Sequence, residues 1–193
     1  MIKLVVCLIV TVFNFKILAN SNHSIETAPN VDLKQYLGRW YEVASIPQSF
    51  QKQCAKDTTA DYAFGIKDRI NVINSCVQSN GKMSVANGRA VVKDKKSNSK
   101  LKVTFVKLGF WIFPLGGNYW ILDVSPDYRY ALIGDPTLKY AWILSRTSEL
   151  SHSDFDYAET KFKSLGYDTC KILTSVQTSG LSKRIPLCEY VKN

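Results

Sequence analysis

Histidine is nearly absent: the 193 residues hold only His23 and His152, too far apart along the chain to suggest a Ser-His-Asp set or a metal site. A Gly-rich phosphate loop, a Cys-x-x-Cys pair and a motif setting two carboxylates across a cleft are all missing. Neither Asn74 nor Glu42 suits the part of a lone catalytic group. These absences weigh against an enzyme and against a bound metal or cofactor. Long apolar runs are scarce as well. The one at residues 4–13 is interrupted at Asn14 and Lys16, short of the roughly 18 to 20 residues that cross a bilayer. There is no internal repeat, low-complexity tract or linker, so one domain is expected. The densest basic run, Lys93, Lys95, Lys96, Lys100 and Lys102, lacks interleaved stacking aromatics and is expected to be a solvated face, with no nucleic acid as partner.

What the chain does have begins with a leader-like start. Lys3 precedes the apolar run and small residues follow it, the layout of a secretory signal peptide over residues 1–21. Its removal takes Cys7 away and leaves an even set, Cys54, Cys76, Cys170 and Cys188, in a compartment where thiols oxidise, so two disulfides are expected. It also takes Lys3 and Lys16 and no acid, lowering the net charge from +9 to +7. Basicity of this size favours solubility and draws the protein toward anionic surfaces, lipid headgroups included.

Residues 22–33 show no periodicity and are expected to form a mobile arm. Short strands separated by turn residues follow. The clearest lies at 100–107, where Leu101, Val103 and Phe105 alternate with Lys100, Lys102 and Thr104. The same alternation predicts strands near 54–64 (Ala60, Tyr62, Phe64) and 69–77 (Ile70, Val72, Asn74), joined by a hairpin at 65–68. Further strands are expected at 40–46, 86–94, 117–124, 128–134 and 140–146, with turns at Asn80, Asn98, Pro126 and Asp135. One helix is expected, capped by Ser153, with Phe155, Ala158, Phe162 and Leu165 on its apolar stripe and Gly166 at its end. A last strand near 170–176 precedes a polar tail at 179–193. Eight antiparallel strands in series close into an up-and-down barrel able to hold one small ligand. A sandwich satisfies the periodicity equally.

Three motifs separate the two. Residues 37–44, LGRWYEVA, followed by 125–132, SPDYRYAL, and 142–147, WILSRT, occur in order and at the spacing of the lipocalin signatures. Over roughly residues 30–178 the chain resembles the lipocalins, in particular the bacterial outer-membrane lipocalins and apolipoprotein D. The resemblance implies an all-β fold, an eight-stranded antiparallel barrel over 34–178 with the C-terminal α-helix packed outside. It implies closure of one end by Gly38, Trp40 and Arg146, the guanidinium lying on the indole face. It places Asn74, Tyr119 and Trp142 on the pocket wall, where Tyr62, Phe64, Ile70, Val72 and Phe105 fit as apolar lining.

In that topology the segment 108–117, LGFWIFPLGG, connects the fifth and sixth strands at the open end. Phe110, Trp111, Ile112 and Phe113 there suggest a portal that lids the ligand, dips into a membrane or contacts a second copy; filling of the cavity is the plain alternative. Cys54 and Cys76 lie symmetrically about the hairpin at Gly65, which pairs them and leaves Cys170 to Cys188. Animal members of the family instead imply Cys54 with Cys188. The expected function is binding and transport or storage of a small lipophile such as a fatty acid or lysophospholipid, in an exported protein: periplasmic if bacterial, otherwise secreted. Transient membrane contact and a homodimer stay open. The alternative is a protein that binds a macromolecule through its open-end loops.

Overall fold

The computed structural model describes residues 25–192, so the expected leader at 1–21 and the first residues of the expected arm lie outside the described residues. Eight strands follow one another in the barrel wall: β1 Gly38–Ser45, β2 Cys54–Phe64, β3 Arg69–Gln78, β4 Met83–Val92, β5 Lys100–Thr104, and then, after a small hairpin of β6 Lys107–Leu108 and β7 Phe110–Trp111, β8 Gly117–Val124, β9 Tyr130–Gly134 and β10 Ala141–Ser145. Each pairs antiparallel with its predecessor in the wall, and β10 returns to β1 through Tyr41 opposite Ser145 and Glu42 opposite Leu144, which closes the cylinder. A two-residue strand, β11 Leu173–Thr174, adds to the outer margin of β1.

Several boundaries differ from the expected ones. β4 starts three residues earlier than expected, so the β3–β4 hairpin stands tall. β5 stops at Thr104 instead of 107, because the chain turns out into the β6–β7 hairpin. The strand expected at 170–176 shrinks to β11. A 3-10 turn over Thr169–Lys171, capped by Asp168, occupies its start.

Two apolar clusters follow from the alternation. Inside the closed half of the barrel lie Trp40, Ile70, Val72, Leu101, Ile121 and Ile133. Outside, between the wall and α2 (His152–Ser164), Phe155, Ala158 and Phe162 meet Val43, Leu132 and Ile143. The helix thus packs outside the barrel, as expected, but its cap is Ser151, whose side chain accepts from the Asp154 N–H. Ser153 falls within the first turn. Asp154 also receives Arg129 in a two-pronged pair at 2.6 and 2.7 Å, tying the helix start to the β8–β9 turn.

The arm needs correction from residue 25 onward. Ile25, Ala28 and Val31 are buried, the Ala28 N–H donates to the Ile121 carbonyl and the Val31 N–H to the Ser97 carbonyl. Three apolar side chains at spacing three, plus these bonds, hold the segment across the closed end ahead of α1 (Leu33–Tyr36). The tail is held as well. Cys54 bonds Cys76 and Cys170 bonds Cys188, the hairpin pairing, and α3 (Leu187–Tyr190) buries Leu187 against the barrel.

Candidate functional site: an open cavity above a closed floor

The floor is built from the first motif. Gly38 starts β1 with φ +96°, a conformation that favours glycine, and a Cβ there would stand 3.4 Å from the Arg146 guanidinium. Arg146 Cζ lies 3.7 Å from the centroid of the Trp40 ring. Its Nη1 donates to the Arg39 carbonyl at 2.8 Å, its Nη2 to the Gln35 carbonyl and its Nε to the Tyr128 carbonyl. Trp40 itself is fully buried and donates to the Tyr36 carbonyl at 2.8 Å. One cation therefore ties α1, β1 and the β8–β9 turn beneath an indole, and the barrel has a bottom.

On that floor stand three tyrosines. Tyr119 Oη meets Tyr36 Oη at 2.6 Å and Tyr62 Oη at 3.0 Å. Burial pushes all three phenols up: Tyr62 to about 12, Tyr36 and Tyr119 well above their ordinary value. Three hydroxyl protons share two contacts, so one O–H is left over as a donor.

Above the floor the barrel opens into a cavity of about 270 Å³. Tyr62, Val72, Asn74, Phe105, Tyr119 and Trp142 line it together. Trp142, Leu144 and Arg146 share a face of the last wall strand, which puts Trp142 and Leu144 on the cavity and Arg146 under the floor. Two of the expected lining residues lie elsewhere. Ile70 is packed in the core below the cavity. Phe64 ends β2 at the closed end and is 56% exposed, beyond the floor that Trp40 makes.

Phe110, Trp111, Ile112 and Phe113 do not line the cavity. Arg69, Arg89 and Thr104 alternate with the inward Ile70, Ala90 and Val103, so they point outward. The loop folds down onto them: Phe113 lies 4.4 Å from Arg69 Cζ, Trp111 5.8 Å from Arg89 Cζ, and Thr104 Oγ1 donates to the Ile112 carbonyl at 2.9 Å. Thr104 is thereby 1% exposed although it faces out. Leu108, Phe110 and Leu115 stay exposed at the hairpin and its exit.

Several lining residues were not singled out from sequence. Tyr140, two positions before Trp142, stacks on it at 6.0 Å, and period two could have found it. Its loop is held by the buried Asp135, whose Oδ1 accepts from the Lys139 and Tyr140 N–H groups. Glu42 and Gln51 also line the cavity. Glu42 is buried with Oε1 accepting from Ser45 and Ser175 and Oε2 from Gln51 Nε2, each at 2.8 Å. No local signal in the sequence announces Gln51, which follows β1 on a short 3-10 turn.

A closed antiparallel barrel with one plugged end, one open cavity and an outer helix is the architecture of a small-ligand-binding barrel. The Lipocalin-like domain model matches residues 31–177, and the chain belongs to that family, which generally binds small hydrophobic ligands. The chain is 39% identical over 156 residues to temperature-induced lipocalin-1 of Arabidopsis thaliana, covering 80% of this chain and 83% of that one. It is 34% identical over 161 residues to mouse apolipoprotein D, covering 78% and 79%. With the outer membrane lipoprotein Blc of Vibrio cholerae it shares 29% over 152 residues, covering 78% and 85%. Among solved structures, insecticyanin from the tobacco hornworm superposes with a TM-score of 0.62 at 23% identity, covering 84% of this chain and 93% of that one.

Proposed function

We propose that the protein binds one small lipophilic molecule in the barrel cavity and transports or stores it after export, in the upkeep of membrane lipid. The observation that carries this is the open cavity itself, walled by Val72, Val103, Phe105, Trp142 and Leu144 above a tyrosine floor. Burying alkyl chain gains roughly 0.8 kcal/mol per methylene, so about ten methylenes offset a large loss of association entropy. A single-chain lipid of the fatty-acid or lysophospholipid size range meets that requirement, with Tyr62, Val72, Asn74, Phe105, Tyr119 and Trp142 as its contacts.

The test is a cavity-filling substitution. Val72→Trp should abolish saturable binding of a fluorescent lipid probe while leaving the far-ultraviolet circular dichroism of the barrel unchanged. Probe binding unaffected by the filled cavity would sink the proposal.

The exposed Leu108, Phe110 and Leu115 favour a second role for the loop of Phe110, Trp111, Ile112 and Phe113, as the surface through which the barrel meets a membrane, a macromolecule or another copy. Lys107 beside this tip adds a cation suited to anionic headgroups. Leu108→Ser with Phe110→Ser should slow lipid transfer from vesicles several-fold with binding of dispersed lipid intact. Unchanged transfer and unchanged oligomeric state would remove the loop from the mechanism.

A further inference from the structure

The charge of a cavity decides which lipid heads it accepts, because an ion leaving water for an apolar site needs an opposite charge to receive it. Among the described residues that line this cavity, Glu42 is the one acid and there is no Lys, Arg or His. Glu42 is 7% exposed, and no cation pairs with it among the described residues. Its negative charge is spread over three neutral donors, two serine hydroxyls and the amide of Gln51.

The uncharged polar atoms of the wall point to the same chemistry. Gln51 Oε1 and Asn74 Oδ1 are both buried, and no donor among the described residues reaches either one. The Gln51 amide cannot be turned to cure this. Its nitrogen already donates to Glu42 Oε2, and reversing it would set carbonyl oxygen against carboxylate. These two oxygens call for donors, and the other polar side chains of the wall, Thr58, Thr59, Asn118 and Tyr140, are neutral, so a hydroxyl head finds partners there while an anion finds no cation.

At the floor the leftover tyrosine O–H is the single donor of that cluster, and it is a neutral phenol. The upward-shifted phenols show how poorly this end of the cavity receives negative charge. The rim differs again: Phe50 and Phe105, each about half exposed, make it apolar.

We infer that the cavity selects uncharged single-chain lipids whose head carries hydroxyl donors, such as a monoacylglycerol or a long-chain alcohol, and discriminates against the fatty-acid anion. The head sits at the wall of Glu42, Gln51 and Asn74, donating to their oxygens, and the alkyl chain runs past Trp142 toward the apolar rim. This rests on the carrier function proposed above and fixes the class of cargo within it.

The experiment is displacement of an uncharged hydrophobic fluorophore from the purified protein by monooleoylglycerol, oleyl alcohol and oleate, each below its aggregation limit at pH 8. The two neutral lipids should displace it at concentrations at least tenfold lower than oleate. The gap should narrow at pH 5, where oleic acid approaches its neutral form. Glu42→Gln, nearly the same in shape, removes the one charge of the wall and should cut the ratio between the oleate and oleyl alcohol concentrations needed at pH 8 severalfold. Oleate binding as tightly as the neutral lipids at pH 8 would overturn this inference and leave the carrier function standing. Failure of all three lipids to displace a bound fluorophore, or of the fluorophore to bind, would end both.

Discussion

Arg146 holds the floor through three carbonyl contacts and the Trp40 ring, and nothing else can do all four from one side chain. Arg146→Ala should therefore lower unfolding stability by about 2 to 4 kcal/mol, the sum expected for charge-assisted bonds in a partly exposed setting plus the ring contact. Arg146→Lys should recover less than half, since an ammonium lacks the planar fork. Urea denaturation checks both, and bound-lipid stoichiometry should be unchanged because Arg146 lies beneath the cavity. At this scale the site was half legible in the sequence. Trp40 and Arg146 came from the motifs, and Asn74, Tyr119 and Trp142 from position in the family plus alternation. Glu42 follows the inward Trp40 by two positions, ahead of the register shift between Glu42 and Ala44, so alternation could have placed it on the wall; an acid simply does not read as lining. Its donors come from Gln51 on a turn and Ser175, 133 residues away. No local pattern encodes a contact of that separation.

The helix start shows the same limit for an element. Ser151 with Asp154 and Ser153 with Asp156 are both Ser-x-x-Asp, and spacing alone does not choose between them. The fold chooses Ser151 because Asp154 must also receive Arg129. Arg129→Ala should strand a buried carboxylate and cost about 2 kcal/mol, below the usual figure for a broken buried pair because Arg129 is half exposed. A double-mutant cycle with Asp154→Asn should show coupling of at least about 1 kcal/mol. The loop at 105–116 was legible as apolar and irregular, yet its direction was not. It lies on the outer wall because Arg69 and Arg89, outward positions that alternation assigns to solvent, offer cations to its aromatic rings. The arm at 25–32 was misread for a related reason: its three apolar side chains fill gaps left by other elements, and such filling needs no periodicity.

For the whole molecule, the tyrosine floor sets an alkaline limit. A phenol near 10 when unfolded and pushed up to about 12 when folded keeps its proton in the native state alone over that interval, so stability is full below pH 10 and falls as pH rises toward 12. Tyr157, through its bond to the Asp123 carboxylate, and Tyr167, through burial, act in the same direction. The thermal midpoint should drop steeply above pH 10 alongside the near-ultraviolet phenolate signal, and Tyr62→Phe should soften the drop. The disulfides, closing 22 and 18 residues of chain, should each contribute about 3 kcal/mol through the unfolded state, and reduction should lower the midpoint without opening the barrel at ambient temperature.

The wall strands also differ in length, ten or eleven residues in β2, β3 and β4 against five in β5, β9 and β10. At about 3.3 Å per residue, one side of the cup stands well over a nanometre higher than the other. Such a vessel is a scoop. For the cargo proposed above, whose chain would run past Trp142 on the short strand β10, the low side would be the exit, and the tail would leave first with no strand having to part.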